Sequence, residues 1–479
     1  VLRLFSISIF AFTLGGIFLG AAGCNSDTAN QANVQPASSL WTRTQGIDWP
    51  RMLGVNYDSH SPETGILTKW PETGLKVLWT ADTGIGYGNG VASQGRWFQF
   101  DRFGDVERLD CLNAETGQSI WNWETKVNYH DSYGYNNGPR SSPVVDGDRV
   151  YIYGVAGTLA CLSVQDGKRL WLRNINDEYN VITNFFGVGA SPLVYEDKLL
   201  LMVGGSQKGG VKVGGNFDIA AAKPDGSAMV ALDKLTGKEL YRVGDYLASY
   251  SAPVIQKIDG KDTCLALVRE GLMAFDPRDG KGEAFHPWRA SVIESVNAAS
   301  PVVWKDRVLI TECYEIGCSL LKFTDRQFSV QFQDSVNRKD QVLRSHWSTP
   351  LLNGNLVIGS SGRNEPDTDL RCLELVATGD GTDAAKPVVK WTNRNRDRMT
   401  GLIVDNHALM LGESGLLQLL ELASDRFLVV SEMPLAQIQD PRDGRPLVET
   451  PSWAPPVLSH GLLYVRGTTK VVCLELKPE

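Results

Sequence analysis

The sequence predicts an all-β chain: an eight-bladed β-propeller of four-stranded antiparallel blades, closed by its own N- and C-terminal strands. Three observations predict it. A strand–turn–strand unit recurs along the chain. Half of the copies are followed by a second turn of fixed composition. The last copy lacks a fourth strand, which the N-terminal region supplies.

The clearest unit reads Ser142-Pro143-Val144-Val145-Asp146-Gly147-Asp148-Arg149-Val150-Tyr151-Ile152-Tyr153, two apolar strands around a tight turn. Related segments start at Ser191-Pro192, Ala252-Pro253, Ser300-Pro301, Thr349-Pro350 and Pro455-Pro456, with weaker copies near Val91 and Leu402. A third apolar strand and a second turn follow. Asn113, Gly117 and Trp121 set the spacing; Ser163, Gly167, Trp171 and Asp233, Gly237, Tyr241 repeat it. Asp276 and Gly280 begin it again, with Phe285 one place late. Asn, Asp or Ser opens such a turn through its side chain, and Gly takes the positive φ a short hairpin demands. The aromatic residue then falls on the fourth strand, facing a neighbouring unit. Units near residues 320, 374 and 421 lack the full motif. No amphipathic helix of convincing length interrupts the pattern, and no capping unit suggests an open solenoid.

The last unit stops after its third strand, at Leu476. Thr73-Gly74 before Leu75-Lys76-Val77-Leu78-Trp79 resembles Thr116-Gly117 before Ile120-Trp121, one residue longer. This segment is expected to complete the eighth blade and remove the free sheet edges.

The N-terminus reads as an export signal. Arg3 precedes an apolar stretch, Leu4 to Phe18, and small residues lead to Cys24. Residues 1–23 are expected to be a lipoprotein signal peptide and Cys24 the lipidated residue; an uncleaved membrane anchor is the alternative. Residues 24–48 read as a tether, most clearly the polar run Asn25 to Ser39, and residues 49–479 as the propeller. The expected location is a membrane facing the periplasm or the cell surface. Net charge is −8 with no basic run, which argues against nucleic acid as a partner. A monomer is expected.

Seven cysteines follow Cys24. Cys111, Cys161, Cys372 and Cys473 recur just before Leu in an apolar strand, so they fall in different blades as buried thiols. Cys313 and Cys318 flank a short loop, where a local disulfide would suit an oxidising compartment. No Cys-x-x-Cys-His haem motif and no zinc-site spacing occurs.

The pattern Leu-x-Cys/Ala-Leu-Asn/Asp, then Thr/Asp-Gly, then Trp resembles the PQQ repeat of quinoprotein alcohol dehydrogenases, shared by the assembly lipoprotein of the outer-membrane BAM complex. The likeness covers roughly residues 75–476. Asp48-Trp49-Pro50-Arg51 and the run Tyr133 to Arg140 resemble exported PQQ-like propellers of planctomycetes. The resemblance implies the propeller fold, and for its redox members PQQ with Ca²⁺. Those enzymes often carry adjacent cysteines over the cofactor, and no Cys-Cys occurs in this chain.

In such a blade the loops leading into the first strand share a face with those joining the second and third strands. The first set contains Tyr129, His130, Asp131, Tyr133, Asn137, Arg140, Asn184, Phe185, Phe186, Tyr250, Glu294, Asn297, His346, Trp347, Arg398 and Trp453. The second adds Arg102, Glu270, Glu315, Arg363 and Glu413. The expected result is a funnel of aromatic rings, amides and both charge signs, suited to a small polar or planar ligand. Within it, Tyr133, Asn137, Arg140, Asn184, Asn297, Trp347, Arg363 and Glu413 are the binding candidates. His130, Asp131, Glu294 and His346 are the catalytic candidates. His130–Asp131 reads as an acid–base pair or simply a turn. Glu294 with Asn297 reads as a hard-cation ligand set or a loop brace, and Arg363 with Glu413 as a pair across the funnel; no metal site is assigned. The Gly-rich insertion 207–227 should overhang the same face.

Two functions follow. One is a lipid-anchored scaffold binding a partner protein, carbohydrate or small polar ligand through the loop face. The other is a PQQ-dependent alcohol or sugar dehydrogenase. Hydrolytic or lyase chemistry ranks below both, since no Gly-x-Ser-x-Gly nucleophile motif is present.

Overall fold

In the computed structural model, residues 37–478 are described, apart from 132, 183–184, 209–211, 214–215, 218, 220, 294, 377–385 and 395. Cys24 and residues 1–23, the expected signal peptide, therefore lie outside the described residues, as do Asn184 and Glu294.

Eight sheets, each a four-stranded antiparallel meander, follow one another as blades 1 to 8, and the parallel strand His60–Ser61 adds a fifth strand to blade 7. They span residues 91–126, 144–174, 193–243, 254–287, 302–333, 351–394, 399–434, and 457–475 together with Lys76–Asp82. The only helical elements among the described residues are Ile175–Glu178 and the 3₁₀ turn Arg338–Asp340. No helix there is long and apolar enough to cross a membrane. Closure occurs as the sequence implies. Strand Lys76–Asp82 is the outer strand of blade 8, antiparallel to Lys470–Glu475, with Trp79 opposite Cys473.

The repeat residues now have physical roles. Trp79, Trp121, Trp171 and Trp391 sit directly opposite Cys473, Cys111, Cys161 and Cys372, each beside a β-bulge. A small thiol across the ladder leaves the indole room, and the bulge turns it toward the next blade. Each ring donates its Nε1–H to a carbonyl there: Trp79 to Ala114 (3.0 Å), Trp121 to Val164 (3.0 Å), Trp171 to Lys234 (3.2 Å) and Trp391 to Ala423 (3.0 Å). The turn glycine receives the ring. Gly117 has φ of +70°, and a Cβ there would lie 2.7 Å from the Trp79 indole. Tyr241 plays the same part, donating to Pro277 O at 2.6 Å. Blade 5 lacks the motif because its outer hairpin turns in two residues, Asp325 and Arg326, both at positive φ.

Between blades lies the core. One cluster joins Tyr151, Leu159, Cys161 and Trp171 of blade 2 to Leu199, Leu201, Val230 and Leu232 of blade 3. Ser142 and Ser300, each preceding a repeat Pro, tie neighbouring blades at the channel mouth. The Ser142 N–H donates to Ser191 Oγ (2.8 Å) and the Ser300 N–H to Thr349 Oγ1 (3.0 Å).

All seven described cysteines are free and buried. The disulfide expected between Cys313 and Cys318 is not formed: the Cys318 thiol hydrogen-bonds the Asp334 carboxylate instead.

The N-terminal segment differs most from the sequence reading. The assigned tether is docked from Leu40 onward. The Leu40 N–H donates to Gln94 O, Trp41 stacks on His460 at 4.0 Å, and Arg43 pairs with Glu475 at 2.7 Å. Residues 49–61 then cross the central channel. Trp49 bridges Ala92, Pro50 O accepts from Val145 and Tyr57 Oη donates to Val194 O. Asn56 O accepts from Gln256, His60 Nε2 meets Leu352 O, and His60–Ser61 pairs in parallel with Met399–Val404. These contacts reach inner strands of six blades, so the segment floors the channel.

Glu107 of blade 1 is buried against blade 2. Its Oε1 accepts from the Val155 N–H at 2.8 Å, while Oε2 has no partner. Burial pushes this carboxyl up to about 7. The folded chain therefore keeps a proton that the unfolded chain releases near its ordinary pKa. The resulting stability is present below that pKa and is lost as pH rises through about 7. We expect Glu107→Gln to be more stable than wild type at pH 8 by roughly 1–3 kcal/mol and nearly equal at pH 4. Urea denaturation of both proteins at the two pH values checks this; a difference independent of pH would contradict it.

Candidate functional site

Above the floor, a cavity of about 260 Å³ occupies the mouth of the channel. One residue from each blade, at or just before its inner strand, rings it: Asn89, Ser142, Ser191, Ala252, Ser300, Thr349, Thr400 and Pro455. These positions are the starts of the repeat units, so the repetition itself builds the wall. Met52, Leu53 and Ser59 of the crossing segment form the bottom.

Loops supply the remaining lining. Trp347 and Trp453 lie 6.0 Å apart, and Tyr87 packs on Trp453 at 4.6 Å. Tyr135, Phe186, Tyr250 and Tyr314 complete the aromatic wall. The cations are Arg140, Arg363 and Arg398. No carboxylate is among the described lining residues. The Trp347 Nε1–H is buried without a hydrogen-bond partner.

Two of the three arginines are neutralised from behind. Arg398 forms a bidentate pair with Glu413, at 3.0 Å from Nε and 2.6 Å from Nη2. Trp453 Nε1 donates to the same carboxylate at 2.8 Å. Burial raises the Glu413 pKa, but hydrogen bonds from Arg398 and Trp453 outweigh it and hold the carboxyl below its ordinary range. The expected Arg363–Glu413 pair is thus corrected: Glu413 belongs to Arg398. Hairpin register explains why. Met399 pairs with Gly412, so residues 398 and 413 are the next two facing positions. Arg140 pairs with Asp131 at 3.1 Å. Arg363 is exposed, with its guanidinium 5.0 Å from the Tyr314 ring centre and no carboxylate partner among the described residues.

His346 lies between these groups. Arg398 Nη1 is 3.0 Å from Nδ1, and Tyr314 Oη is 3.3 Å from Nε2. Desolvation, reinforced by Arg398 and Arg363, pushes the imidazole down to about 3, so the ring is neutral.

The other candidates are placed differently. Asp131 is fully buried and spent on its own loop, accepting from the N–H groups of Tyr133 and Asn136 as well as from Arg140. His130 is exposed and outside the cavity. The adjacent pair is therefore split between solvent and the loop interior, and neither residue lines the cavity. Asn137 accepts from the Asp131 N–H at 2.6 Å and is a brace. Asn297 is buried, its amide nitrogen donating to Val268 O (2.9 Å) and Trp288 O (3.3 Å) and so bracing two loops, while its Oδ1 has no partner among the described residues. Tyr133 is 51% exposed at the rim, edge-on to Phe185 at 5.4 Å. Arg102, Glu270, Glu315 and Glu413 do not line the cavity. Insertion 207–227 is described only in part; Ile219 packs with Ile182 and Leu247.

Of the residues that sequence reasoning assigned to the funnel, the structure brings Arg140, His346, Trp347, Arg363, Arg398 and Trp453 to the lining of the cavity. The sequence reading missed Tyr87, Asn89 and the floor. It mentioned Tyr314 only as part of the loop between two cysteines. Repeat register would have found Asn89, which stands where the other blades place Ser142 or Ser191. No sequence signal marks the floor.

Comparison with known proteins agrees with this architecture. Residues 71–219 match the family described as outer membrane protein assembly factor BamB. Quinohemoprotein alcohol dehydrogenase from Comamonas testosteroni is similar in fold, at 11% identity over 94% of this chain and 82% of that one, with a TM-score of 0.56. BamB from Moraxella catarrhalis aligns at 14% identity over 83% of this chain and 84% of that one, with a TM-score of 0.39. No curated protein sequence matches. With its repeat, docked indoles and closed ring of eight sheets, the chain is an eight-bladed β-propeller, similar in fold to that quinohemoprotein dehydrogenase.

Proposed function

We propose that this chain is an exported, lipid-anchored binding propeller that holds a small planar ligand, free or carried on a partner, in the blind funnel of its loop face. The single observation behind this reading is the lining: seven aromatic rings and three arginines with no described carboxylate. Rings supply flat apolar contact, and guanidinium groups supply oriented charge. The assembly-factor description of the family matching residues 71–219 supports an extracytoplasmic binding role. The apolar run and Cys24 of the sequence support the anchor.

A quinoprotein dehydrogenase fits these residues only in part. PQQ is a planar polycarboxylate, and rings and arginines suit it. The Ca²⁺ that accompanies it takes roughly 6–8 oxygen ligands, carboxylates among them. Asp131 and Glu413, the carboxylates closest to the funnel arginines, are engaged by Arg140 and Arg398. Described groups of three or more His, Cys, Asp or Glu with metal-holding geometry do not occur.

The test is a titration of the purified protein with PQQ, followed by tryptophan fluorescence, with Ca²⁺ and with a chelator. Quenching should be the same in both, without dye-linked alcohol or sugar oxidation. Trp347→Ala should weaken binding by roughly tenfold. Ca²⁺-dependent binding coupled to oxidation would replace this reading with the enzymatic one.

A further inference from the structure

We propose that Tyr314 and Arg363 form a carboxylate-binding subsite in the funnel, with hydrogen-bond polarity set by the relay Glu413–Arg398–His346, so that the ligand is an aromatic carboxylate. This rests on the reading of the funnel as a ligand site.

The relay can be read in one direction only. A guanidinium has donors and no acceptor. Arg398 Nη1 lies 3.0 Å from His346 Nδ1, so Nδ1 must accept. Glu413 fixes Arg398 in that position through its bidentate pair. A neutral imidazole whose Nδ1 accepts carries its proton on Nε2. Burial, with Arg398 and Arg363 alongside, keeps the ring neutral. Nε2–H therefore donates to Tyr314 Oη, 3.3 Å away. With that lone pair filled, the phenol still has its own proton to give, and no described side chain or carbonyl takes it. Burial raises the Tyr314 pKa, so the phenol stays a donor at neutral pH.

Arg363 is the second donor. It stands over the Tyr314 ring at 5.0 Å, lines the same cavity and has no acidic partner among the described residues. Its neighbours Arg140 and Arg398 are each compensated by a carboxylate. One uncompensated cation beside one poised hydroxyl matches the two oxygens of a carboxylate, and a charge-assisted bond is the stronger of the two. Trp347 and Trp453 line the same cavity and offer the surface for the ligand's ring.

The experiment is calorimetric titration of the full chain with 2-naphthoate and with 2-naphthamide, which share a ring and differ in charge. Wild type should bind the carboxylate at least roughly tenfold more tightly. Arg363→Gln should reduce naphthoate to the affinity of the amide. His346→Phe should narrow the preference for naphthoate over naphthamide, whereas a purely structural role for the imidazole would change both affinities by the same factor. Equal affinities in wild type, or a preference that survives Arg363→Gln, overturns the subsite and leaves the funnel standing. A preference that survives His346→Phe overturns the relay. Binding of neither compound removes the funnel reading itself.

Discussion

Asp101→Ala is expected to cost roughly 3–5 kcal/mol of stability. Asp101 belongs to the second strand of blade 1 and Arg466 to the second strand of blade 8, so their pair spans the seam where the ring closes. The contact is 2.5 Å, with side chains only 0% and 3% exposed. Arg466 also donates to Gly84 O at 3.1 Å and to Gly86 O, in the segment leading from the closing strand into blade 1. Removing the carboxylate leaves a guanidinium buried and uncompensated, which costs more than the pair itself contributes. The double variant Asp101→Leu with Arg466→Met should therefore recover most of the loss, because it removes both charges. Urea midpoints of the three proteins decide the matter. A single-variant loss below about 1 kcal/mol would mean that water reaches the seam.

Trp79→Ala is the second large effect, also roughly 3–5 kcal/mol. Its indole is buried, donates to Ala114 O and covers Gly117. Tyr464 donates to the same carbonyl at 3.0 Å and stacks on Trp97 at 4.4 Å, so one small cluster joins blade 8 to blade 1. Trp121→Ala removes the equivalent indole between blades 1 and 2, which the chain already connects. Only the Trp79 variant should also loosen the closing strand. Limited proteolysis should then cut between residues 71 and 90 faster than in wild type, and the Trp121 variant should not show this. Equal cleavage in the two variants would mean that the terminal strand contributes no more to closure than any internal one.

The candidate site was legible residue by residue but not pair by pair. Arg363, Arg398 and Glu413 were all placed on the funnel face, yet the sequence reading paired Glu413 with Arg363. The ladder of blade 7 puts Arg398 beside it. His130 and Asp131 are adjacent in sequence, but their side chains face different surroundings. Asp131 turns inward to the amides of its own loop, and His130 turns out to solvent. Loop side chains choose partners by three-dimensional proximity, and irregular loops carry no period from which proximity can be inferred.

By itself the sequence determined the architecture. Turn chemistry, strand alternation and the small residue facing each docked aromatic are local constraints that repeat every ~50 residues, and a last unit short of one strand dictates where the first must go. Only the tertiary structure decided that residues 49–61 floor the channel, that two of the three funnel arginines are neutralised from behind, and that His346 must donate toward Tyr314. Those outcomes depend on segments from opposite sides of the ring meeting at its axis, where burial and charge rather than chain order select the partners.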